Sequence, residues 1–226
     1  MCIRDSPYVG RDSRLGLYIV VNGSVAGHAN ARIFTGADVL TNDGLNRVDG
    51  RSTRTGYYMR KLIRQDVNLD PATTTTQRRY TARIRYTEIS LIYAEAANEA
   101  FGPMGTGPYA PFSAFDIIRN LRTRSAVGTA NGHAYLNSIS ADQAAMRELI
   151  RNERRLELAF EGFRFWDLRR WNMPLNEPAR GTRITGGVIF EEFVVEDRVF
   201  QPHMNHGPIP HSEILKYNAL VQNRGW

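Results

Sequence analysis

The sequence predicts a mainly α fold with irregular loops and a few short strands. Three observations lead there. Residues 7–86 contain no glutamate and are rich in Gly, Asn, Thr, Asp and Arg, a composition of turns and short strands. Residues 84–128 carry two apolar runs at helical spacing, separated by a Gly/Pro-rich connector. Residues 151–171 (RNERRLELAFEGFRFWDLRRW) concentrate six arginines and four acids in one amphipathic run. With charges spaced helically all along that run, some must face inward, which predicts an arginine–carboxylate lattice inside a helical protein.

Taken in order, residues 15–21 and 55–63 (TGYYMRKLI) read as short β-like pieces. Between them, residues 22–54 form a turn-rich stretch with Asn-Gly and Asp-Gly pairs. Loops of that length in a compact domain are usually functional or disordered. Residues 70–77 (DPATTTTQ) are a second polar connector. Ile84, Ile89, Ile92, Tyr93, Ala96, Ala97 and Ala100 mark the first long helix, stopped by Gly102 and Pro103. Phe112, Phe115, Ile118 and Leu121 mark a second, closing near Gly128, with alanines where the two cross. Such a hairpin resembles one tetratricopeptide-type unit, which cannot bury its apolar face alone, so exposed apolar surface is expected. Ser140 with Gln143 predicts a capping box for a third helix, running through Met146, Leu149 and Ile150 to Phe160, with Gly162 as its stop. Residues 165–171 predict a short helix ended by Pro174, and residues 183–200 a strand or hairpin. Residues 206–226 read as a proline-directed turn, a short helix from Ser212 and an extended end.

Bulk properties exclude several classes. No apolar run approaches the ~20 residues of a membrane-spanning helix. Residues 1–6 (MCIRDS) lack the apolar core of a secretory leader and read as a non-native junction. Cys2, the only cysteine, lies in that hexapeptide, so no disulfide framework and no cysteine metal site is expected. The net charge is +6 and the pI about 9.7, yet 27 of the 29 basic residues are Arg, the side chain suited to fixed pairing with carboxylates. Residues 1–86 hold a surplus of seven basic residues, and residues 87–226 are balanced to within one charge. No block of like charges resembles a nucleic-acid tail, and no nucleic-acid partner is expected.

Two chemistries compete for the acids of the signature run. Glu153, Glu157 and Glu161 recur every four residues, in line with Met146, Ile150 and Phe160. Inward carboxylates suggest a glycoside hydrolase using Glu153, Glu157 or Asp167. Carboxylates on one helix face point in parallel, however, and do not readily flank a substrate. The favoured reading is a structural ion-pair lattice of Glu153, Arg154, Glu157, Glu161, Arg164, Asp167 and Arg169, because buried charges need partners. Phe163, Phe165, Trp166 and Trp171 suggest a sugar-stacking platform, but rings at helical spacing are more often core. His203, His206 and His211 match no compact zinc spacing, so neither metal nor cofactor is expected. Arg119, Arg122 and Arg124 read as a solvated helix face. Asn30, Phe34, Asn42, Asp43, Asn46, Arg51 and Tyr57 are nominated as ligand contacts, because amides, carboxylates and guanidinium groups hydrogen-bond sugar hydroxyls and rings stack on sugar faces.

Several segments together carry a family resemblance. RNERRLELAFEGFRFWDLRRW (151–171), IRYTEISLIYAEAANEAFG (84–102), FSAFDIIRNLRTRSAVG (112–128) and GPIPHSEILKYNALVQNRGW (207–226) resemble, in the right order, the C-terminal motifs of the SusD/RagB family of nutrient-binding outer-membrane lipoproteins. DSRLGLYIV (12–20) and TGYYMRK (55–61) resemble its upstream pieces. Arg224 and Trp226 stand where Pro and Tyr are usual. The resemblance implies a SusD-type C-terminal domain over residues 7–226. Within it lie a loop-rich ligand side (7–80), a tetratricopeptide-like hairpin (81–128) and C-terminal helices with a tail (140–226). It further implies non-enzymatic capture of oligosaccharide or another nutrient on the extracellular face of the outer membrane, for a SusC-like TonB-dependent transporter. The family's N-terminal half and lipidated cysteine are not matched, and the chain reads as a C-terminal fragment whose membrane association would come from an anchor it lacks. A tetratricopeptide-like scaffold for a protein partner is the third class.

Overall fold

The computed structural model describes residues 7–68, 70–217 and 219–226; Cys2 lies outside them. Helices dominate from residue 86 onward, and short two-stranded sheets punctuate the loops.

The chain opens with a turn of helix rather than a strand. Asp12 accepts the backbone N–H of Arg14 (2.9 Å) and its carbonyl accepts that of Leu15 (3.0 Å). This Asx-type turn starts α1 (Arg14–Tyr18) and overrides the β-like composition of residues 15–21. Only β1 (Ile19–Val20) remains extended, and it pairs antiparallel with β4 (Tyr58–Met59). The segment expected as a strand over 55–63 therefore contributes two strand residues. Within the long loop, β2 (Ser24–Ala26) and β3 (Ala31–Ile33) form a hairpin.

Three helices make the core. α2 (Tyr86–Phe101) and α3 (Ala114–Arg124) form the expected hairpin, and α5 (Gln143–Glu157) packs against both. Between them α4 (Ala134–Ser138) contributes Leu136. Leu91, Ala94, Ala97, Ala114, Phe115, Ile118, Leu136, Met146, Leu149 and Ile150 bury together. Each fully buried Leu or Ile contributes roughly 1.5–3 kcal/mol of transfer free energy. Ala94, Ala97 and Ala114 allow the close crossing of α2 and α3. The buried residues of α2 are Thr87, Leu91, Ala94, Ala97 and Asn98, so the expected Ala97 is buried and the expected isoleucines are not. Ile84, Ile89 and Ile92 stand about half exposed or more, as does Phe112 before α3. They leave an uncovered apolar strip along the hairpin.

The caps differ from the sequence reading at one point. α3 begins with Ser113, whose Oγ accepts from Asp116 N (3.1 Å). α5 begins with Asp142, whose carboxylate accepts from Ala145 N (2.9 Å), so the expected Ser140 cap is displaced by an acid adjacent to the first helical residue. Leu158 closes α5, and Phe160 and Gly162 take positive φ to turn the chain into α6 (Phe163–Arg170).

The hairpin of β5 (Ala179–Thr185) and β6 (Ile189–Glu196) turns at Gly186 and Gly187, both with positive φ. It docks on the long loop through Thr182 N to Thr55 O (2.8 Å), Ala37 N to Ile184 O (2.8 Å) and Gly186 N to Asp38 Oδ2 (2.9 Å). Ile184 is fully buried there. Gly56 has φ +84°, and a Cβ on it would stand 2.2 Å from the Thr182 carbonyl oxygen. Only glycine permits so close an approach. The tail contributes α7 (His211–Ile214), and Trp226 donates its indole N–H to the His206 carbonyl (2.9 Å).

Candidate functional site

Two features stand out, an ion-pair lattice around α5 and an aromatic cleft beside it. Arg14 and Asp12 belong to both.

Glu153 and Glu157 are 0% and 1% exposed, and neither faces solvent. Arg14 Nη1 donates to both, at 2.7 Å and 2.9 Å. The second oxygen of Glu153 accepts from Arg122 (2.7 Å), and that of Glu157 from Arg124 (2.8 Å). Ser125 Oγ adds a longer bond to Glu157 (3.2 Å). One turn on, Glu161 is held by Lys61 (2.6 Å) and bidentately by Arg85 (2.7 and 2.8 Å). On the other side, Arg154 binds Asp167 through two parallel bonds of 3.0 Å. Arg170 joins Asp167 to Glu95, which also accepts the Trp171 indole N–H (2.7 Å). The chain thus ties its first residues, its helical hairpin and α6 to a single helix.

Environment sets the charge states. Burial pushes the Asp12 carboxyl up, but its bonds to Arg14 outweigh that and hold it below the usual range. Glu95 and Glu161 behave alike, with burial overcome by Arg170 and Trp171 in one case and by Arg85 and Lys61 in the other. Arg14 is raised despite burial, through Asp12, Glu153 and Glu157.

Two expected lattice members stand outside it. Arg164 forms no ion pair among the described residues; burial and the like charge of Arg155 lower its pKa. Arg169 donates to the Phe165 carbonyl and lies 3.5 Å over the Phe165 ring. The cations missed by sequence reading are Arg14, Lys61, Arg85, Arg122, Arg124 and Arg170. For Arg122 the signal was present. Ile118, Leu121, Arg122 and Ser125 share one helical stripe, and its first two members are buried, so the solvated-face reading is corrected for Arg122; Arg124 is exposed as expected but pairs with Glu157. Phe165 and Trp166, expected as core, are 52% and 66% exposed.

The cleft has a volume of about 940 Å³ and lies between the first residues of the chain, the end of α5 and the β5–β6 hairpin. That is within the usual range of ligand sites. Tyr8 packs edge-on to both Tyr57 (6.5 Å) and Phe190 (5.9 Å). Burial, and then Tyr57, push the Tyr8 phenol above its usual range. Tyr57 Oη bonds Thr182 Oγ1 (3.2 Å), fixing the ring against β5. Tyr18 and Phe160 complete the aromatic lining, and Arg11, Arg155, Asp12 and Glu192 supply polar groups.

Of the nominated ligand contacts, Tyr57 alone lines this cleft. Asp43 lines a smaller hollow of about 250 Å³ with Ile33 and Tyr58. Asn30 and Asn46 take positive φ in turns. The Asn42 and Asp43 carbonyls accept from Ser52 and Tyr58, and Arg51 N donates to the carbonyl of its turn partner Val48. Phe34 is 43% exposed and apart from the cleft. Much of the loop's polarity therefore serves its own folding. Tyr8, Phe160 and Phe190 were missed because they come from segments far apart in sequence.

Known proteins share this architecture. SusD-like protein P2 of Formosa agariphila is 34% identical over 145 residues, which is 62% of this chain and 24% of that protein. The crystal structure of a SusD-like protein from Bacteroides fragilis matches with a TM-score of 0.74 and 28% identity, over 97% of this chain and 39% of that one. The chain thus spans well under half the length of these relatives. The SusD family model matches residues 5–226. With that match over nearly its whole length, the chain belongs to the SusD family.

Proposed function

We propose that the chain is the C-terminal part of an outer-membrane lipoprotein that captures oligosaccharide, or another nutrient, without breaking bonds. It would hold its ligand in the aromatic cleft and pass it to a SusC-like TonB-dependent transporter, outside the cell. The family match over residues 5–226 carries this reading. No helix among the described residues is long and apolar enough to cross a membrane, in keeping with attachment by a lipid.

The lattice supports binding over hydrolysis. A glycosidase needs two carboxylates that flank a sugar and reach its oxygens. Glu153 and Glu157 instead share Arg14, and Asp167 is 4% exposed and clasped by Arg154. Their oxygens are occupied by guanidinium donors, and none of the three acids lines the aromatic cleft.

The test is calorimetric titration of the full-length protein against a glycan panel. Binding of at least one glycan is expected, weakened about tenfold by Phe190→Ala, since ring stacking and burial contribute roughly 1–2 kcal/mol. Tight binding of an unrelated molecule with none to any glycan or peptide removes the proposal. So does turnover of a chromogenic glycoside that disappears in Glu153→Gln or Glu157→Gln.

A further inference from the structure

The cleft carries a charge imbalance that the neighbouring lattice does not. Its carboxylates are already committed. Asp12 is gripped by the guanidinium of Arg14 through Nε and Nη2, and Glu192 accepts from Arg180 (2.5 Å). Its arginines are not all matched. Arg14 is spent on Asp12, Glu153 and Glu157. Arg11 donates only to the Pro7 carbonyl (2.8 Å). Arg155 is exposed at the end of α5 and forms neither hydrogen bond nor ion pair among the described residues. Arg164, outside the cleft lining, is partly buried and forms no ion pair among the described residues. Two guanidinium groups of the lining, Arg11 and Arg155, therefore stand beside the rings without a carboxylate partner among the described residues. Low-dielectric walls strengthen their field.

We propose that the cleft's ligand is an acidic oligosaccharide, its sugar faces on Tyr57, Phe160 and Phe190 and its carboxylate or sulfate groups on Arg155 and Arg11. The guanidinium fork matches either oxyanion through paired hydrogen bonds, and the rings accept any sugar face. This ligand class rests on the binding role proposed above.

The test uses calorimetry on the full-length protein with three probes: oligogalacturonides, which carry carboxylates; carrageenan oligosaccharides, which carry sulfates; and neutral maltoheptaose. At least one acidic probe is expected to bind tenfold or more tighter than maltoheptaose, with affinity falling as salt rises. The tighter acidic probe identifies the oxyanion. Arg155→Gln is expected to weaken that probe about tenfold, and Arg155→Glu further, with an unchanged unfolding midpoint because the side chain is exposed. Maltoheptaose binding as tight as both acidic probes refutes the ligand class and leaves the binding role intact. An acidic probe that binds equally well to Arg155→Glu refutes the placement on Arg155. Loss of all three probes refutes the ligand class and counts against the binding role with it.

Discussion

Removing one acid from the lattice is not expected to cost the same at every position, and the structure ranks two of them. Glu153→Ala strips Arg122 of its carboxylate. The Arg122 side chain is 12% exposed and its Nε has no other acceptor, so the charge stays buried and unpaired. Breaking a buried pair in this way costs about 3–5 kcal/mol, and Glu153→Ala belongs at the upper end. Glu157→Ala strips Arg124 instead. That side chain is 52% exposed and keeps Thr87 Oγ1 as an acceptor (3.0 Å), so it can turn to water. Arg14 retains Asp12 and one glutamate in either variant. The cost of Glu157→Ala is then about 3 kcal/mol, some 1–2 kcal/mol below its neighbour. Glu153→Gln, which keeps the shape and one acceptor oxygen, falls between wild type and Glu153→Ala. Urea unfolding of the three variants, followed by tryptophan fluorescence, measures the order. A Glu153→Ala midpoint equal to wild type would remove the lattice's structural role. Glu157→Ala as the costlier change would show that the counter-ion's access to water does not decide the outcome.

Two further outcomes are expected. Gly56→Ala destabilises by about 2–4 kcal/mol, since its φ is positive and the new methyl meets the Thr182 carbonyl; an unshifted unfolding midpoint would mean that the hairpin does not dock there. Acid weakens the fold through Asp12, Glu95 and Glu161, whose native pKa values lie below those of the unfolded chain. Their contribution is complete above about pH 4–5 and is lost as pH falls through the depressed native values. Urea midpoints that stay flat from pH 7 down to pH 3 would contradict that linkage.

How far the fold could be read in advance depended on the reach of each interaction. α3 and the acid line of α5 follow a 3.6-residue period that local sequence displays. Glu153, Glu157 and Glu161 were recognisable as inward because they align with Met146 and Ile150. Their partners were not, since Arg14 lies 139 residues from Glu153 and nothing local announces the pairing. The buried face of α2 was read in part: alanines stand at the crossing as expected, but Leu91, and not the isoleucines, supplies its large buried apolar side chain. The cleft was the least legible part. Its rings arrive from positions 8, 18, 57, 160 and 190, and no window of sequence contains two of them at contact spacing. In the long loop, turn geometry and ligand chemistry draw on the same Asn, Asp and Gly residues, so composition could not separate them.

The shared grip on Arg14 also sets a timetable. Arg14, Lys61 and Arg85 leave the ribosome well before Glu153, Glu157 and Glu161 exist to neutralise them. Residues 7–85 are strongly cationic, and their glutamate partners in the lattice come later in the chain. A chain interrupted before residue 150 would carry Arg14, Lys61 and Arg85 without the glutamates that neutralise them.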